Sequence, residues 1–118
     1  MTAVLIDQVR AALGEMSDLD YQSRVWTGRG GDHEMSSFVE CVERLYDDSG
    51  LELALDAEEP VFGPPVDDEL RELGDLVRKI DADQSPDDLI ASPRMRAARD
   101  RAGAILRAID EGASNAVD

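Results

Sequence analysis

Aromatic side chains are scarce, with one tryptophan, two tyrosines and two phenylalanines in 118 residues, so aliphatic and alanine packing must build the core. A single cysteine, Cys41, excludes an internal disulfide and agrees with a reducing, cytoplasmic setting. A single histidine, His33, leaves no Cys/His set at zinc spacing. Lysine is nearly missing as well, since Lys79 stands beside eleven arginines. No apolar run approaches the length that crosses a bilayer. The amino terminus offers only Ala3 to Ile6 before Asp7, with no basic segment ahead of it, so neither a signal peptide nor a membrane anchor is expected.

Carboxylates are what the chain has in excess. Twenty-seven acids face twelve bases, for a formal net charge of −15. Residues 1–91 hold 23 acids and 7 bases, whereas residues 92–118 hold 4 acids and 5 arginines. Such a field repels nucleic acid and anionic membrane and attracts cations or basic proteins. A GC-rich genome or proteome-wide adaptation to salt would produce the same bias without a binding site. The hydrophobic share of 42% argues for a folded chain all the same.

The length fits a single acidic helical domain over 1–118, with residues 113–118 frayed. Leu5, Val9, Ala12, Leu13 and Met16 form one stripe and predict a helix over 3–16, with Asp7, Arg10 and Glu15 off the stripe. Tyr21, Ser23 and Val25 alternate with Gln22, Arg24 and Trp26, which predicts a short strand over 20–26. Ser37 to Glu40 reads as a capping box opening a helix that Gly50 ends in a left-handed conformation. Leucines 51, 53 and 55 alternate and predict a second strand over 51–55. Residues 58–65 form a proline-rich connector, and a helix is predicted over 66–80, with Asp67–Arg71 and Asp75–Lys79 as i, i+4 pairs. Ser85-Pro86 opens a short helical turn, and Ser92-Pro93 opens a last helix ending near Gly112. The expected fold is mainly α, a compact bundle of four to five helices, with a small two-stranded ribbon pairing 20–26 with 51–55.

Little in the sequence carries catalytic chemistry. Asp81 to Asp87 begins like a calcium loop, but Pro86 occupies the position that demands glycine and Ser92 the position of the bidentate glutamate. Asp32, His33 and Glu34 are the weak metal candidates, although three adjacent residues rarely converge on one ion. Cys41 shares a helical stripe with Phe38, Val42 and Leu45 and is expected to be buried and inert. Gly28 to Gly31 lacks the Lys-Ser/Thr of a phosphate loop. The arginines of the last helix form no dense stripe and are expected to bridge to the acidic body. Neither a cofactor nor a catalytic residue is expected.

The residues point to a non-catalytic interaction domain whose acidic surface binds a basic protein partner, in the manner of an immunity or inhibitor protein. Candidate contacts are Trp26 and Arg29 beside the glycine loop, the pairs Asp47-Asp48 and Glu58-Glu59, and Asp67-Asp68-Glu69. Met16-Ser17-Asp18-Leu19-Asp20-Tyr21, continuing to Trp26, resembles the start of nuclease inhibitors of the cyanobacterial type. That resemblance holds no diagnostic motif, and no family is drawn from it. The alternatives are a small metal-dependent regulator or enzyme built on His33 and nearby carboxylates, or a helical domain with salt-adapted charge.

Overall fold

A computed structural model of the chain describes residues 3–29 and 35–115, the last three by backbone alone. Helix dominates, and the described residues contain no strand. The three long helices are α1 (Ile6–Ser17), α5 (Val66–Arg78) and α7 (Pro93–Asn115), and α7 packs on both α1 and α5. Four short helices fill the sides: α2 (Leu19–Tyr21), α3 (Phe38–Val42), α4 (Leu51–Asp56) and α6 (Pro86–Ala91). Two of them widen into π-helix, α2 through Gln22–Trp26 and α3 through Glu43–Asp48.

Local chemistry sets most of the boundaries. Glu40 N donates to Ser37 Oγ at 3.1 Å, and Asp88 N donates to Ser85 Oγ at 3.2 Å, so serine caps α3 and α6 as their spacing predicts. Gly50 takes φ 82° at the turn between the π-helical end of α3 and α4, a conformation that costs glycine nothing. Glu58, with φ 57°, closes α4 in the left-handed region. Glu58 N bonds Leu55 O and Glu59 N bonds Ala54 O, the paired pattern of a Schellman cap without its usual glycine.

The predicted ribbon does not form. Residues 20–26 lie in α2 and its π-helical extension, because the buried side chains are Gln22, Val25 and Trp26, spaced i, i+3, i+4. Residues 51–55 lie in α4 for the same reason. Leu51 and Leu55 are buried four apart with Ala54, while Leu53 is 67% exposed and creates the false alternation. The last helix runs past Gly112 to Asn115, so residues 113–115 are helical, and residues 116–118 lie outside the described residues.

One hydrophobic cluster joins α1, α3, α4, α5, α6 and α7. Leu13, Met16, Leu45, Leu51, Leu70, Leu73, Met95 and Ile105 are its largest fully buried side chains, which fits the aliphatic composition. Trp26 and Phe38 meet edge to face with centroids 6.0 Å apart. Cys41 is fully buried, with its thiol donating to Ala12 O at 3.5 Å, and Tyr46 donates its hydroxyl to Leu70 O at 2.7 Å.

Burial, and then the neighbouring Glu15, raises the Cys41 thiol well above its ordinary 9.0, and burial raises the Tyr46 phenol above 10.0. The unfolded chain ionises both groups at their ordinary values, where the folded chain still holds the protons. Their contribution is therefore complete below pH 9 and is lost as pH climbs towards the raised values. Urea denaturation followed by circular dichroism from pH 8 to 11 is expected to show stability falling by up to about 1.4 kcal/mol per pH unit for each group. Cys41→Ala removes the earlier part of that decline. A stability curve flat to pH 11 would contradict the burial of both groups.

Candidate functional site

Three clusters of polar side chains stand out, and two of them serve the fold. In the first, the α1 residue Glu15 points inward and its side chain is only 8% exposed. Its carboxylate accepts from Trp26 Nε1 at 2.9 Å, from Ser36 Oγ at 2.5 Å and from Arg44 at 3.2 to 3.3 Å, and Arg44 also donates to Ser36 Oγ. Glu15 thus ties α1 to both π-helical segments and to the residue ahead of Ser37. Its place off the apolar stripe suggested solvent; the indole of Trp26 instead draws it inward, because a buried N–H requires an acceptor. Close by, the fully buried Gln22 donates to Glu15 O and Met16 O, the carbonyls ending α1, while its own oxygen accepts from Arg99. Arg99 also donates to Ile90 O, and burial lowers its pKa.

The second cluster is built on Asp67, which is 6% exposed. Its carboxylate accepts from Val61 N at 3.0 Å, Phe62 N at 2.9 Å and Gly63 N at 3.2 Å, and so organises the connector ahead of α5. Three backbone N–H groups on one carboxylate resemble the way a helix N-terminus holds an anion, here turned inward to satisfy a loop.

These positions correct part of the partner-binding set. Trp26 is 6% exposed and Asp67 is buried, so neither presents its side chain to a partner. With Asp67 engaged by the connector, Arg71 pairs with Asp68 at 2.9 Å, and Arg78 pairs with Asp75 at 3.4 Å, both i, i+3. Arg29 is exposed and forks onto Asp87 at 3.2 and 3.3 Å. Asp47 and Asp48 are exposed at the end of a π-helical segment, Glu58 is exposed in its left-handed cap, and Glu59 is half-buried beside it. Asp68 is exposed and Glu69 half-buried in the first turn of α5. Asp32, His33 and Glu34 lie outside the described residues, and among the described residues no group of three or more His, Cys, Asp or Glu side chains could hold a metal ion.

The third cluster faces outward. Between α5 and α7 runs an open groove whose overlapping hollows measure about 500 and 470 Å³. Glu69, Glu72 and Asp75 rim it from α5 and Asp100 from α7, while Ala97, Ala104 and Leu76 form its floor. Arg101 reaches across from α7 to Glu72 as an ion pair. Of the acids named as candidate partner contacts from the sequence, only Glu69 lines this groove. The spacing of Glu69, Glu72, Leu76 and Lys79 on one helix, and of Ala97, Arg101, Ala104 and Ala108 on another, was readable as two faces. That the two faces would adjoin was not.

A smaller notch of about 210 Å³ lies between α4 and α5, against Tyr46, Leu55, Leu70 and Gly74. Both guanidinium groups on its rim already bind carboxylates or carbonyls, Arg71 with Asp68 and Leu55 O and Arg78 with Glu52 and Asp75. Among the described residues no helix is long and apolar enough to cross a membrane.

Comparison with protein-family models, with curated proteins and with solved structures finds no match to this chain.

Proposed function

We propose that this chain is a non-catalytic interaction domain whose acidic surface binds a basic protein partner, as an immunity or inhibitor protein binds the protein it neutralises. One observation carries the reading: carboxylates that hold the fold point inward, while a separate set lines an open groove with room for a ligand. Glu15 and Asp67 are used up by internal donors. Glu69 and Asp100 sit on the groove instead, with Asp75 beside its surface partner Arg78, where a cation desolvated by the partner would gain most from them. The negative field disfavours nucleic acid and anionic membrane as partners, and a reducing cytoplasm suits the lone Cys41.

Two measurements test this. The domain is expected to melt cooperatively at ~0.1 M salt, where screening reaches only over about 10 Å. Folding only at molar salt would assign the charge to habitat rather than recognition. A protein retained from extract on the immobilised domain and eluted by salt is expected to be basic. Its titrated Kd is expected to weaken about tenfold between ~0.05 and ~0.2 M salt. A retained partner that is acidic, or whose affinity ignores salt, would contradict the proposal.

A further inference from the structure

Two faces of helix α7 have different duties. Met95, Ala98, Ala102, Ile105 and Ile109 are buried in the core. The neighbouring stripe Ala97, Arg101, Ala104 and Ala108, spaced i, i+4, i+7, i+11, looks outward along the groove beside α5. Beyond Glu69 the groove opens into a further hollow of about 540 Å³ between the connector at Phe62 and Pro64, the start of α1 and the end of α7. From Ala97 to Gly112 this path follows α7 for about 22 Å at 1.5 Å per residue, or roughly four helical turns.

From this shape and charge we infer that the α5–α7 groove seats a basic, amphipathic helix of the partner; the inference rests on the interaction reading above and names where the partner binds and in what form. Two packed helices with alanines along their outer seam leave a furrow that accepts the ridge of a third helix at close approach. An extended peptide would find no strand edge to join among the described residues. The described lining holds five carboxylates, with Asp100 and Glu111 on α7 joining the three of α5, against three cations. Two of those cations are occupied, Arg101 by Glu72 and Arg10 by Asp110. Glu72 and Asp75 are in turn engaged by Arg101 and Arg78, so Glu69, Asp100 and Glu111 carry most of the rim's negative charge. A second copy of this chain would set the same acidic rim against itself at a net charge of −15 per copy, which leaves a basic partner as the occupant. The Arg101–Glu72 pair straps the middle of the groove. An incoming lysine or arginine takes over Glu72 and releases Arg101, so Arg101 competes with the ligand.

The test uses the full chain and a labelled synthetic peptide of about 16 residues, helical, with lysines on one face and alanine and leucine on the other, titrated by fluorescence anisotropy at ~50 mM salt. One-to-one binding is expected. Ala104→Trp, which fills the floor without altering charge, should weaken it by about tenfold or more. Arg101→Ala should tighten it about threefold by removing the competing pair. Reversing Asp47 and Asp48 to lysine, which line none of these hollows, should change it by about twofold at most. The same peptide with a central proline should lose about tenfold. If circular dichroism shows Ala104→Trp misfolded, Ala97→Trp takes its place.

Binding indifferent to both tryptophans and to the proline, yet lost on reversing Asp47 and Asp48, would overturn the groove while leaving an acidic binding surface in place. Absence of peptide binding would overturn the helical ligand; if no basic partner is retained from extract either, the interaction reading falls with it.

Discussion

Asp67→Ala is expected to lower the unfolding free energy by about 3 kcal/mol and the melting temperature by roughly 10 °C, although it removes one negative charge from a chain carrying −15. Global repulsion alone predicts the opposite sign. What decides the outcome is local: three backbone N–H groups, on Val61, Phe62 and Gly63, lose a charged acceptor that is itself buried. Charge-assisted bonds of this kind contribute about 1.5–3 kcal/mol each, and partial access of water to the connector reduces the sum. Asp67→Asn keeps one acceptor oxygen but turns an amide donor toward backbone donors, so about half the loss is expected. Asp68→Ala provides the contrast. Its side chain is 69% exposed and pairs with Arg71 on the surface, so a change within about 0.5 kcal/mol is expected. Chemical denaturation of the three variants checks this, and equal effects at positions 67 and 68 would contradict the assignment.

Glu15→Ala should be comparably severe, at about 3 kcal/mol. It leaves the Trp26 indole N–H without its acceptor and takes from Arg44 and Ser36 the carboxylate they share. Removing one member of a buried ion pair costs about 3–5 kcal/mol, and the lower end applies because the Arg44 side chain is 40% exposed. Glu15→Gln preserves an acceptor for Trp26 and is expected to cost about 1–2 kcal/mol. Tryptophan fluorescence reports the same event, since the domain has a single indole. Emission should shift in Glu15→Ala and stay close to the parent in Glu15→Gln. Loss of less than about 0.5 kcal/mol in Glu15→Ala would show that the cluster does not brace α1 against the π-helical segments.

The helical class and most of the helix starts could be read from composition, from serine caps and from apolar spacing. Ser37, Ser85 and Ser92 do what their sequence context predicts. The two misread segments failed for a physical reason. At 51–55 an exposed Leu53 imitated the period of a strand, and at 20–26 the core residue that would have revealed helical spacing is a glutamine. Gln22 can be buried only because the carbonyls of α1 and the guanidinium of Arg99 satisfy its amide, and those partners lie 6 to 77 residues away in the chain. The same holds for Glu15, whose partners Trp26, Ser36 and Arg44 lie 11 to 29 residues away, whereas Asp67 binds the connector only 4 to 6 residues before it, and both look like any other acid in a chain with 27 of them. Glu15 becomes structural through tertiary neighbours that no local pattern encodes, and Asp67 through the backbone path of the connector, which side-chain spacing does not reveal. The groove was half legible, as two helix faces, and became a site only once α5 lay beside α7.

Sorting the acids in this way gives the charge two roles. Glu15 and Asp67 stabilise the fold by accepting hydrogen bonds, and acids such as Glu69, Glu72, Asp75 and Asp100 face solvent across a furrow floored by alanine and leucine. Arg10 and Arg78 link neighbouring helices by ion pairs with Asp110 and Glu52, and Arg101 reaches across that furrow to Glu72.

Chemical-shift mapping on the isotopically labelled domain, titrated with the salt-eluted basic partner, tests the central claim most directly. Saturable shifts concentrated at Glu69, Glu72, Asp75, Ala97, Arg101 and Ala104, fading as salt rises, are expected. Shifts spread evenly over the acidic surface, or confined to faces away from α5 and α7, would contradict it.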